Sequence, residues 1–285
     1  MHMDKKMLIE VRKEKSELTC SPSRMTVSAI YRTFFDPSHV YLIVGGLGGF
    51  GLELIQWMIG RGARNIMISS RRALNPEKWS GYQRRCVDFW CTEQNVNVQF
   101  SALNIGNEVS TKLNPLCHCQ LMTFQMEAFQ LVRTCLKFGP LGGVFHTAMV
   151  LNDRIFEDQT VEDFKAQANA KYHGTRNLDK ATRELCPAMP HFVYFSSVSA
   201  GRGNDGQSSY GMANSSAERI IEWRRQDGYS GIAIQWGTIA DTGIIFDGLH
   251  KDNNTVFAGT VPQRMYSCLA TLEKFFGWNH PIVSW

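Results

Sequence analysis

The stretch "VYLIVGGLGGFGLELI" (residues 40–55) decides the fold. Its opening is a continuous apolar run rich in β-branched residues, which predicts a strand over 40–46 buried on both faces. Glycines follow at 45, 46, 48, 49 and 51. Then Leu54, Ile55, Met58 and Ile59 recur at helical spacing, which predicts a helix over 51–63. A glycine turn between a strand and a helix lets a phosphate approach the main chain, and the helix start offers it free N–H groups and a positive dipole end. Alone, such a turn is weak. Its place after the first strand of an alternating pattern makes it a dinucleotide signal.

The alternation continues outward from this point. Strand patterns cover 65–70, 96–104, 141–149, 191–197, 232–237 and 281–285. Helical patterns cover 82–94, 126–138, 160–185, 210–225 and 262–276. Thr160 and Asp163 have the spacing of a capping box, and Pro187 follows the end of the long helix. Strictly alternating strands and helices, with strands that read as apolar runs, predict a doubly wound α/β fold around a parallel sheet. Sheets of this kind bind ligands at the carboxyl ends of their strands.

Composition narrows the function classes. The chain has 285 residues, 44% of them hydrophobic and 20% charged, which suits a globular protein of one large domain. The net charge of +4 comes without a dense Lys/Arg block, so neither nucleic acid nor a membrane surface is an expected partner. Residues 1–24 are charged, lack a signal-peptide pattern and read as a linker, so the expected setting is the cytoplasm. The eight cysteines show no C-x-x-C pair, and "CHC" at 117–119 lacks the second pair a zinc site needs, so no metal is expected.

The nucleotide is read from the strand ends. The turn supplies Gly45, Gly46, Leu47, Gly48, Gly49 and Phe50. The second strand ends in Ser69, Ser70, Arg71 and Arg72, with no carboxylate to bond a ribose 2′-hydroxyl. A guanidinium suits the extra 2′-phosphate, so Ser70 and Arg71 point to NADPH. Asn104 and Ile105 at the third strand's end, and Thr147 and Ala148 at the fourth's, complete the expected cofactor edge.

A second constellation lies further on. Ser197 ends a strand, Tyr210 begins a helix, and Asn214 sits one turn later on the same face. A lysine at the position of Asn214 is the common reductase pattern. Here that position is Asn214, so a cation would have to come from elsewhere in the chain; Lys171, in "KYHGTRNL" of the long preceding helix, lies 26 positions before Ser197.

Residues 25–285 resemble the ketoreductase domain of type I fatty acid and polyketide synthases, most of all that of the animal fatty acid synthase. The carrying motifs are "GGLGGFGLEL", "GARNIMISSR", "GPLGGVFHTAMVL", "HFVYFSSVSAGRGNDGQSSYGMANSSAERI", "IAIQWGTIADTGI" and "PQRMYSCL". This is a branch of the short-chain dehydrogenases/reductases in which the active-site Lys and Asn trade positions. The resemblance implies a Rossmann-type fold, NADPH as cofactor, and reduction of a carrier-bound 3-ketoacyl thioester in fatty acid synthesis. Tyr210 is then the general acid, Ser197 the hydroxyl beside it, and Lys171 the cation that lowers the Tyr210 pKa and holds the nicotinamide ribose. Asn214 is the amide that positions Lys171 and a relay water. Implied partners are an acyl carrier bearing phosphopantetheine and other synthase domains, including an upstream structural reductase half.

Some positions depart from the pattern. Val44 stands where Thr is frequent, Asn104 where many relatives have Asp, and "HTAM" (146–149) where an Asn-Ala-Gly type turn is usual. Asp153 in "LND" and Gln207, where the opposite stereochemical class often has Trp, point to a D-3-hydroxyacyl product. Residues 109–125 lengthen the spacing and lack periodicity. They read as an atypical insertion, either a short intron translated in frame or a surface loop. Two other functions stay open: a free-standing reductase of small carbonyls, and a non-catalytic structural fragment of a synthase.

Overall fold

The computed structural model describes residues 32–107, 127–150, 152–239, 241 and 259–285. The linker 1–24, the insertion 109–125 and "CHC" at 117–119 lie outside these residues. The chain from Thr33 to Trp285 makes up one structural unit.

Among the described residues seven strands form one sheet: β1 (Val40–Val44), β2 (Asn65–Ser69), β3 (Asn97–Ser101), β4 (Leu141–His146), β5 (His191–Ser197), β6 (Ile232–Trp236) and β7 (Ile282–Ser284). Their order is β3-β2-β1-β4-β5-β6-β7, and every pairing is parallel. Only helical crossovers can connect parallel neighbours, and their fixed hand winds the chain outward in both directions from β1 and β4. The helices are α1 (Gly49–Ile59), α2 (Gly81–Thr92), α3 (Glu127–Leu136), α4 (Val161–Ala168), α5 (Gly174–Leu185), α6 (Val198–Arg202), α7 (Ser208–Gln226) and α8 (Met265–Phe275).

The period of two along β1 splits the core. Tyr41 and Ile43 enter one apolar layer with α1, α2 and α8, while Val40, Leu42 and Val44 enter the other with α3, α5 and α7. Both faces are therefore covered, as the apolar strand runs require. None of the described helices is long and apolar enough to cross a membrane.

The long helix expected over 160–185 is not continuous. α4 begins with the Thr160–Asp163 capping box, but a π-helical turn over Asn169–His173 separates it from α5. Such turns insert a residue into the helical register and cluster at functional sites. Lys171 lies inside this one. The short α6 between β5 and α7 also escaped the periodicity, because five residues carry too little of it.

Candidate active site

Two groups of residues meet at the carboxyl edge of the sheet. In the glycine turn, Gly45 has φ +83°, and a Cβ there would lie 2.7 Å from the Ala148 backbone nitrogen. A Cβ at Gly51 would strike the Gly46 Cα at 2.6 Å. Both positions demand glycine so that turn, α1 and the end of β4 can close on one another. Thr147 fastens this closure: its N–H and its Oγ1 both donate to the Val44 carbonyl, at 2.9 and 2.8 Å. The α1 start carries no capping side chain and no acid in its first turn, so its N–H groups and dipole face outward uncompensated. That fits a pyrophosphate.

The side chains of this half are mostly spent elsewhere. Leu47 is buried in the core, and Phe50 packs edge-on to Phe195 with ring centroids 4.8 Å apart. Their side chains are committed to packing, which leaves only their backbone for the cofactor role expected of them. Ile105 is likewise core, and its carbonyl accepts from Asn177 Nδ2 at 2.9 Å. The Asn104 amide is tied into its own turn, donating to Asn107 Oδ1 and accepting from the Gly106 N–H. Ser70 donates its N–H to the Ser101 carbonyl, which aligns the ends of β2 and β3. Arg71 is exposed and has no partner among the described residues, so its guanidinium is free to meet a phosphate.

The second group is buried. Lys171, 2% exposed, donates from Nζ to the Phe195 carbonyl at 2.8 Å and lies over the Tyr194 and Tyr210 rings, 5.1 and 5.8 Å from their centroids. Burial pulls its pKa down to about 7, against the carboxylate of Glu218, which favours the charge. Tyr210 is pushed up to about 12 by burial, while the Asn214 amide and the Ser197 hydroxyl act in the opposite direction. The expected lowering of the Tyr210 pKa by Lys171 is not what this pocket displays: burial raises it, opposed by Asn214 and Ser197 rather than by the lysine. The phenol therefore keeps its proton at neutral pH. Asn214 donates to the Tyr210 carbonyl at 2.9 Å and accepts from the Tyr194 hydroxyl at 2.7 Å, rather than holding Lys171. Ser197 caps α6, its Oγ accepting the Ser199 N–H at 3.2 Å.

Residues 39–241 match the family model described as "KR domain". The chain belongs to the ketoreductase (KR) domain family. Polyketide synthase 19 of Gibberella fujikuroi is 32% identical over 218 residues, covering 76% of this chain and 8% of that relative. This chain is thus a small fraction of such a multidomain synthase in length. Among solved structures, a ketoreductase domain from the bacillaene assembly line superposes with a TM-score of 0.70 at 23% identity, over 90% of this chain and 58% of the other. An alcohol dehydrogenase from Thermococcus sibiricus, complexed with 5-hydroxy-NADP, gives a TM-score of 0.60 at 13% identity, over 87% and 94%. These likenesses show the fold alone, a Rossmann-type parallel sheet with flanking helices. The relatives that match are polyketide synthases, so the narrower expectation of an animal fatty acid synthase is not what the comparisons support.

Several residues of this KR domain were not singled out by sequence. Gln83, buried on α2, donates to the Leu47 carbonyl at 2.6 Å and so steadies the glycine turn; its capping box with Ser80 was a usable signal. Tyr194 forms the floor beneath Lys171. The fully buried His146 faces that pocket with neither ring nitrogen in a well-formed hydrogen bond among the described residues, and burial, then the Lys171 charge, depress its pKa to about 3 against a weaker pull from the Ala170 backbone. Glu218 accepts from the Ser196 hydroxyl and from Gln235 Nε2. At the mouth, Gln207 Nε2 donates to Asp153 Oδ2 at 2.8 Å, joining the two residues expected to set stereochemistry.

Proposed function

We propose that this KR domain reduces a 3-ketoacyl thioester, carried on the phosphopantetheine of an acyl carrier, to the D-3-hydroxyacyl thioester with NADPH. The observation that carries this reading is the convergence of Lys171, Tyr210, Ser197 and Asn214 at the strand ends beside the glycine turn. The turn, with Arg71 for the 2′-phosphate, would hold the cofactor. Bound nicotinamide would supply the hydride. Tyr210, kept protonated by burial, then donates its proton to the oxygen on which charge develops, and Ser197 hydrogen-bonds the same oxygen. Lys171, ionising near neutrality, stands under Tyr210 to balance the phenolate left behind.

The setting we propose is a cytoplasmic synthase, with the acyl carrier and an upstream structural reductase half as partners. The motifs around the glycine turn and Tyr210 favour fatty acid synthesis. The 32% identity to Polyketide synthase 19 favours a polyketide assembly instead, with the same reduction on a different chain.

The test is NADPH oxidation with trans-1-decalone, a soluble ketone surrogate, for wild type and Tyr210→Phe. Wild type is active, and the variant binds NADPH but loses about 10²–10⁴-fold in rate, the usual contribution of a general acid. A folded, NADPH-binding wild type without activity would sink the proposal.

A further inference from the structure

A line of side chains joins the mouth of the cleft to its floor. The Ser197 hydroxyl donates to Ser199 Oγ at 3.2 Å, and Ser199 Oγ donates to Gln207 Oε1 at 2.6 Å. The Gln207 amide then donates to Asp153 Oδ2 at 2.8 Å. Ser197 is half-buried, Ser199 buried and Asp153 exposed, so the line dips into the interior at Ser199 and comes back out to the surface. A glutamine has one accepting end and one donating end. Ser199 occupies the first and Asp153 the second, and turning the amide over would set oxygen against carboxylate. The chain of bonds therefore has a single sense, and each bond polarises the next.

The loop bearing Asp153 is also clamped. Gln159 Nε2 donates to the Arg154 and Gly206 carbonyls at 2.8 and 3.1 Å, and its Oε1 accepts the Ser209 N–H at 3.1 Å. Arg154 adds a backbone bond to Gly206 at 3.0 Å. Asp153 is thereby fixed to the start of α7, one residue before Tyr210.

We infer that Ser199 is a positioning residue that locks the Gln207–Asp153 pair to Ser197 and so determines which face of the ketone is reduced. The inference rests on the reductase function proposed above. To bond a substrate oxygen, Ser197 must release Ser199 Oγ, yet its own Oγ still accepts the Ser199 N–H and turns about a fixed point. Ser199 stays bonded to Gln207, so the carbonyl is held at one end by Ser197 while the arriving chain meets Gln207 and Asp153. Without the Ser199 hydroxyl the two ends move independently, and either face can meet the hydride.

The experiment reduces a 3-ketoacyl N-acetylcysteamine thioester with NADPH and resolves the two hydroxy products by chiral chromatography. Wild type gives one hand in excess. Ser199→Ala loses one side-chain hydrogen bond to Gln207, about 1 kcal/mol, and the ratio of hands falls by about 5–10-fold. Ser199→Thr keeps a hydroxyl and restores the ratio. Gln207→Leu cuts the same line from its other side and erodes the ratio in the same direction, which covers a Ser199→Ala protein that fails to fold. A Ser199→Ala enzyme with the wild-type ratio overturns the inference, as does a wild type giving both hands equally. A wild type that reduces nothing overturns the underlying function instead.

Discussion

The two halves of the cleft are built by opposite means. The β1–α1 half works by removing side chains: Gly45, Gly46 and Gly51 let backbone segments close on one another, Gly48 lies exposed, and its cation, Arg71, lies in solvent. The β5–α7 half works by burying side chains: Lys171, Tyr210 and Asn214 are enclosed and bonded to main-chain or neighbouring groups. An exposed guanidinium meets solvent and salt on all sides. An enclosed ammonium has a charge that depends on its surroundings. One half therefore offers an exposed cation, the other a buried lysine under the Tyr210 ring whose pKa burial pulls down to about 7.

Substitutions can break this contrast. The largest effect is expected at Gly45. Gly45→Ala puts a side chain at φ +83° and against the Ala148 backbone, costing about 1–3 kcal/mol in backbone strain alone. Denaturant melts should show that loss together with loss of NADPH binding; a variant that binds normally would mean the turn is not a closed cradle.

Lys171→Met comes next. In the folded chain Lys171 titrates near 7, against an ordinary 10.5 when unfolded. Between those values the unfolded chain binds the proton that the folded chain has released, so wild-type stability rises with pH across the window. As pH falls through 7 that contribution is gone. Relative to Lys171→Met, the wild-type Tm should climb from pH 7 to 10. Parallel curves for the two proteins would show that the ammonium is not enclosed in solution.

The smallest effect belongs to the exposed half. Arg71→Ala removes one charged contact to a 2′-phosphate, and the KM for NADPH should rise by about 10-fold. The KM for NADH should stay where it is, since NADH has no such phosphate. An equal rise for both cofactors would move the phosphate site away from Arg71.

The same contrast explains what was legible in the sequence. Apolar runs and glycines act locally, so the strands, the order of elements and the turn could be read directly. Lys171, Ser197, Tyr210 and Asn214 could be placed together only through the resemblance, because they come from three separate elements. What their side chains bond to was not readable. Asn214 reaches Tyr194, a residue that looks like ordinary strand filling in "HFVYFSS", and Gln83 looks like any surface glutamine of an amphipathic helix. The π-turn was invisible because the helical period on each side of it is intact.

That turn has a mechanical consequence. α4 leans on α7, and α5 leans on α3 and α7. A continuous α-helix would force both contacts and the direction of Lys171 into one angular phase of about 100° per residue. The extra residue in Asn169–His173 works as a swivel between them. Packing on either side can drift in sequence without turning the lysine, and the lysine can be aimed without disturbing the packing.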